Sequence, residues 1–180
     1  MNKNEKFVIT INRELGSGGR TVGRKLAEKL DVPFYDKALI KALKEKYNLT
    51  TEEIETLKGR KHNWWSEFRR IVEVGAKASQ AQYYQVSMGE SPDLLTTEAM
   101  YKTEAEILKG MADDGSCIIA GRTAFHVLRQ HPNHLNILIQ ASMEHRINRV
   151  MEKQNMSREE AEKTIEKVDL YVGENVNSME

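Results

Sequence analysis

The sequence predicts an α/β domain in which a parallel sheet is flanked by helices, with a helical insertion in the middle of the chain. Three observations predict it. A short β-rich run, Phe7-Val8-Ile9-Thr10-Ile11, feeds a glycine-rich stretch and then a helix. Apolar runs at 116–120 and 135–139 are each followed by a helical pattern, and strands alternating with helices imply parallel pairing. Between these ends, about residues 60–112 read as helical without strand signals.

Taken in order, Val22, Leu26 and Leu30 recur every four residues and are expected to share the buried face of the first helix. Asp31-Val32-Pro33 ends it, and 32–35 reads as a second strand. A helix over about 37–47 carries Leu39, Ile40, Leu43 and Tyr47. Thr50 with Glu53 is a capping-box pattern for another short helix, which Gly59 ends. Trp64, Trp65, Phe68, Ile71 and Val72 have roughly helical spacing. A further helix ends near 112, with Met100, Ile107, Leu108 and Met111 as its apolar positions.

The strand at 116–120 runs straight into Gly121-Arg122, and a short helix carrying Phe125, Val127 and Leu128 leads to Pro132. Residues 135–139 read as a buried strand. Ser142 is a cap for the helix of Ile147, Val150 and Met151. Ser157 with Glu160 is a second capping box, ahead of Ala161, Ile165 and Val168.

At 180 residues the chain suits a single domain over 1–180. Lys and Arg match Asp and Glu at 27 each, which argues against general nucleic-acid binding. Cys117 is the sole cysteine, so an internal disulfide and a multi-cysteine zinc site are excluded. Its apolar neighbours point to a buried strand thiol. No apolar leader or membrane-length apolar run is visible, and the expectation is a soluble cytoplasmic protein without a membrane partner.

A strand that ends in a glycine-rich turn and opens a helix aims several backbone N–H groups, and the positive end of the helix dipole, at one spot. Gly16, Ser17, Gly18, Gly19, Arg20 and Thr21 form that turn, and the expected occupant is a nucleotide phosphate. Thr21 is placed to meet a magnesium ion shared with the phosphates. The strict motif has Gly, four residues, then Gly-Lys-Ser/Thr. Here Arg13 stands at the first glycine and Gly19 at the lysine, so Arg20 is the nearest residue to supply the missing charge. An ordinary turn is the alternative reading.

The run from Val8 through Asn12-Arg13-Glu14-Leu15-Gly16-Ser17-Gly18-Gly19-Arg20-Thr21 to Leu30, with Pro33-Phe34-Tyr35-Asp36, resembles the start of cytidylate kinase-like proteins. These belong to the nucleoside monophosphate kinase branch of P-loop proteins. The likeness resumes at Cys117-Ile118-Ile119-Ala120-Gly121-Arg122, at Ala141-Ser142-Met143-Glu144-His145-Arg146-Ile147-Asn148-Arg149, and at Lys167-Val168-Asp169. It implies a P-loop NTPase-like sheet, ATP and Mg²⁺, and phosphoryl transfer to a nucleoside monophosphate such as CMP. A noncatalytic, degenerate nucleotide-binding kinase is the alternative, because the lysine is missing.

Arg122 follows a strand end, where open α/β sheets bind ligands, and its planar fork suits the acceptor phosphate. The family's Gly-Arg-Asp becomes Gly121-Arg122-Thr123 here. A surface ion pair is the other reading. The resemblance also puts Asp36 in the acceptor region, with a helix N-cap as a compatible role. It implies that Arg146 and Arg149 lead toward a lid and offset charge during transfer; the alternative is a solvated helix face away from Ile147, Val150 and Met151. Arg20, Arg122, Arg146 and Arg149 are therefore the catalytic candidates.

His126, His131 and His134 cluster around a loop and read as surface residues. Trp64-Trp65, among Arg60, Lys61, Arg69 and Arg70, suits either base stacking or packing against the core or a second subunit. The family continues past the Lys-Val-Asp run with a basic lid, another strand and a helix, which this sequence does not show. The expectation is a shortened edge or one covered by a partner, so a homo-oligomer through the helical middle or that edge is a candidate.

Overall fold

The computed structural model describes residues 1–36 and 98–177. The helices expected over 37–47 and at Thr50, and the Trp64-Trp65 cluster, lie outside these residues. Four strands lie among the described residues: β1 (Val8–Arg13), β2 (Phe34–Asp36), β3 (Cys117–Ala120) and β4 (His134–Ile139). Five helices accompany them: α1 (Gly19–Leu30), α2 (Glu98–Asp114), α3 (Arg122–Val127), α4 (Met143–Gln154) and α5 (Arg158–Asn177).

The strands form one sheet in the order β2-β3-β1-β4, and every pairing is parallel. Asp36 pairs with Ala120, Ala120 with Ile11, and Ile11 with Ile137. Parallel pairing puts the carboxyl ends of all four strands on one edge, where the loops after Arg13, Asp36, Ala120 and Ile139 emerge. Adjacent strands lie about 5 Å apart, so Asp36 sits roughly 10 Å from Ile11 of β1.

Both faces of β1 and β3 are covered, which is why these strands read as almost continuous apolar runs. On one face Val8, Tyr35, Cys117 and Ile119 meet Ile107, Leu108, Met111 and Ala112 of α2, with Ala124 of α3 and Leu128. Burial pushes the Cys117 thiol up to about 12, with Asp114 adding to the shift, so it is an inert core group. On the other face Ile9, Ile11, Ile118 and Ala120 meet Ala27 of α1, with Leu26, Leu30, Phe34, Ile137 and Ile139 packed around them.

A third cluster lies beside the sheet. Ile147 and Val150 of α4 pack on Ala161 and Ile165 of α5, and Leu15 from the loop after β1 inserts its side chain there. Ser142 caps α4 by accepting from the His145 N–H at 3.4 Å. The capping box of α5 forms as expected: Glu160 Oε2 accepts from Ser157 N at 2.8 Å, and Ser157 Oγ from Glu160 N at 3.3 Å. Asp31, with φ 51°, ends α1 in the left-handed conformation.

Two local expectations are corrected. The seam of α1 is Gly19, Gly23 and Ala27, whereas Val22 is 46% exposed and Leu26 and Leu30 only flank the contact. The helix lies so close to the sheet that a Cβ on Gly23 would meet Phe34 Cε2 at 2.6 Å, which leaves no room for larger residues at the seam. Strand β4, expected to be buried, pairs only with β1 among the described residues and exposes Leu135 and Leu138. In α3 Ala124 is buried and Val127 packs against the same cluster, while Phe125 is exposed.

Candidate functional site

The site is built on the loop between β1 and α1. Glu14 continues the strand, its N–H donating to Ile139 O at 3.1 Å. The chain then folds tightly: Ser17 donates to Glu14 O from its N–H at 3.2 Å and from its hydroxyl at 2.8 Å. Gly16 and Gly18 adopt φ values of 83° and 82°, which glycine alone reaches without strain. Gly18 is the N-cap of α1, supplies no side-chain cap, and is followed by no acidic residue in the first turn. The opening N–H groups of α1 and its dipole are thus left for an outside anion.

The loop takes its shape from residues far along the chain. A Cβ on Gly16 would lie 2.6 Å from Arg146 O and 2.8 Å from Arg146 Cα, so α4 rests directly on this glycine. Arg146 Nε donates to Leu15 O at 2.7 Å. Its Nη2 reaches both oxygens of Asp169 on α5, at 2.7 and 2.9 Å, and Nη1 stands 3.8 Å from Glu14 Oε2. Glu14 in turn accepts from Gln140 Nε2 at 3.1 Å and from Ala141 N at 3.2 Å, tying the loop to the chain after β4.

Arg149 lies one turn beyond Arg146. Its Nη2 donates to Thr21 Oγ1 at 2.9 Å, and its guanidinium stands 3.6–3.8 Å from where a Cβ on Gly18 would be. Arg20 turns toward the neighbouring strand end: Nε and Nη2 both donate to Asp36 Oδ2, at 3.0 and 2.8 Å. The Asp36 side chain is 4% exposed and has further partners. Gly121 N donates to Ile11 O at 3.2 Å, which sets the start of α3, and so the backbone of Arg122, at the same edge.

The structure therefore gathers Gly16, Ser17, Gly18, Gly19, Thr21 and Arg149 at one loop, with the Arg20–Asp36 pair and the start of α3 beside it. The side chain of Arg122 is outside what is described. Arg146 is not on a solvated face: it is 4% exposed and committed to Leu15, Asp169 and Glu14. Arg20 is committed to Asp36. Reading the sequence did not single out Glu14 or Leu15, and gave Asp169 no role of its own. An apolar residue inside a glycine-rich loop was the one available hint for Leu15; no local spacing links Asp169 to a loop at the other end of the chain.

Among the described residues no helix is long and apolar enough to cross a membrane. No curated protein matches the chain. Among solved structures, an uncharacterized protein from Eubacterium ventriosum is similar at 22% identity and TM-score 0.57, covering 91% of this chain and 71% of that one. TT1252 from Thermus thermophilus aligns at 20% identity and TM-score 0.47, over 87% of this chain and 77% of that one. Shikimate kinase from Acinetobacter baumannii, in complex with shikimate, aligns at 17% identity and TM-score 0.43, over 95% and 80%. The first of these shares the fold. Residues 8–175, nearly the whole chain, match the cytidylate kinase-like family, and the protein belongs to that family, with a nucleotide-kinase-like role.

Proposed function

We propose that the protein transfers the γ-phosphoryl group of ATP to a nucleoside monophosphate such as CMP. An oxygen of the acceptor phosphate attacks the γ-phosphorus, its bond to the β-bridging oxygen breaks, and ADP and a nucleoside diphosphate result. The observation that carries this reading is the shared edge: the uncapped start of α1 with Arg149 lies beside the Arg20–Asp36 pair and the opening of α3. Donor and acceptor groups gathered on one edge would suit an in-line transfer, since such transfer depends on positioning and charge compensation.

The backbone of Gly16 to Arg20 would cradle the donor phosphates. Asp36, held by Arg20, and Arg122 would orient the acceptor, and Arg149 would offset charge at the loop mouth. Arg146 serves as a positioning residue, because its guanidinium is occupied by Leu15, Asp169 and Glu14. Thr21 would meet Mg²⁺ with its exposed hydroxyl, one hard oxygen, once Arg149, which donates to it here, has moved to phosphate. This ion takes few protein ligands and completes its shell with phosphate and water oxygens. When bound it supplies charge neutralisation between the β- and γ-phosphates.

The test is ADP release with ATP, Mg²⁺ and a panel of monophosphates, with turnover expected for CMP. No turnover across the panel, together with unchanged ATP affinity in Gly18→Asp, would sink the reading. A noncatalytic nucleotide-binding role is the second reading, favoured by Gly19 at the lysine position. Tight ATP binding without turnover across the panel would select it.

A further inference from the structure

The phosphate loop lacks its lysine for a steric reason. A Cβ on Gly19 would lie 2.6 Å from Arg13 Cβ and 2.9 Å from Arg13 Cδ, so any side chain there would force Arg13 out of place. The charge that a donor triphosphate needs at this place must come from another residue. Arg20 is next in sequence, but two of its donors are on Asp36 Oδ2. Arg146 is spent on Leu15 O and Asp169. Arg13 lays its side chain along Gly19 and has partners of its own.

Arg149 differs from all three. Its guanidinium overhangs Gly18, the residue that opens α1, and its Nη2 rests on a neutral hydroxyl, Thr21 Oγ1, at 2.9 Å. Among the described residues no carboxylate pairs with it. We infer that Arg149, reaching over from α4, stands in for the absent lysine and grips the β- and γ-phosphates of the donor. This assignment rests on the reading of the loop as an ATP site, and it moves the charge from Arg20, the sequence neighbour, to a residue on another helix.

The chemistry suits an arginine. Its fork meets phosphate oxygens two at a time, and charge-assisted bonds of this kind are the strong ones. The Thr21 contact holds the guanidinium over the loop before the nucleotide arrives. When phosphate enters, Nη2 exchanges the hydroxyl for a phosphate oxygen, which leaves Thr21 Oγ1 free for other work.

Calorimetry of ATP and of inorganic tripolyphosphate against the full chain tests this, with folding of each variant checked by circular dichroism. Arg149→Met is expected to weaken both ligands by about 10- to 100-fold, the range of a lost charge-assisted bond. Arg149→Lys should recover most of that loss. Arg20→Met should lose less than Arg149→Met, and Arg158→Met, which removes an exposed arginine paired with Glu144, should bind within about two-fold of wild type. Wild-type affinity in a folded Arg149→Met, or a larger loss in Arg20→Met, overturns the assignment while leaving the loop an ATP site. If Arg149→Met fails to fold, Arg149→Lys decides: tripolyphosphate binding as weak as that of Gly18→Asp counts against a charge role. If the wild-type chain binds neither ligand, the ATP site itself is lost and the assignment with it.

Discussion

Arg20 and Asp36 are joined across the open edge of the sheet, both Nε and Nη2 of the arginine donating to one carboxylate oxygen at 3.0 and 2.8 Å. The arginine lies in the first turn of α1 and the aspartate ends β2, so the pair ties the helix to the strand. The carboxylate is buried and the arginine side chain is 34% exposed, which places the pair between the surface and interior cases. Arg20→Met is therefore expected to destabilise the fold by about 1–3 kcal/mol, read from urea unfolding. If the pair also aims Asp36 at the acceptor, the monophosphate KM should rise more than the ATP KM.

The two left-handed glycines of the loop should respond differently to the same substitution. At Gly18 an added methyl meets only the end of the Arg149 side chain, 3.6 Å away. Gly18→Ala should cost about 1–2 kcal/mol, the conformational penalty alone. At Gly16 the methyl would strike the Arg146 backbone at 2.6 Å. Backbone cannot swing aside, so Gly16→Ala should cost about 2–4 kcal/mol. Equal midpoints for the two variants in thermal melts would contradict this account.

Arg146 joins three elements, and its loss should be felt in stability first. Arg146→Met strands Leu15 O and removes the partner of Asp169, for an expected cost of about 2–4 kcal/mol, less than for a fully enclosed pair because Asp169 is 38% exposed. Asp169→Asn retains one acceptor and should cost about half as much. If Arg146 instead contacted the transferring group, kcat would fall far more than stability, so both are to be measured.

Much of the fold was legible from residues 1–36 and 98–168. Strand–turn–helix order, both N-caps near the end and the apolar stripe of Ile147, Val150 and Met151 depend on local patterns, which sequence displays directly. The α1 seam was misread because glycine and alanine carry no hydrophobic signal, yet they are what a close approach to Phe34 and Ile11 demands. β4 was misread because His134-Leu135-Asn136-Ile137-Leu138-Ile139 is too apolar to reveal its exposed side. At the site, the glycine turn was legible and its supports were not. Arg20–Asp36 and Arg146–Asp169 are tertiary pairs, and only the folded chain shows which arginine each carboxylate takes.

His134 supplies a pH dependence. Burial, then the nearby His131, lowers its affinity for a proton below the ordinary value of 6.5, and its Nε2 lies 2.7 Å from Thr10 Oγ1. Between the lowered value and 6.5 the unfolded chain binds a proton that the folded chain does not. Stability should therefore fall as pH drops below 6.5 and level off beneath the folded value. Urea midpoints from pH 7.5 to 5 should slope less in His134→Gln than in wild type.

The support of Gly16 and Leu15 by Arg146, 131 residues downstream of Leu15, also bears on the order in which the protein acquires its parts. The loop is translated before the strut on α4 and the apolar cluster of α4 and α5 that shape it. A nascent chain stopped before Arg146 holds every residue of the glycine turn but lacks the Arg146 strut and the packing of α4 on α5. The turn is thus expected to reach its folded shape only once α4 and α5 have been made.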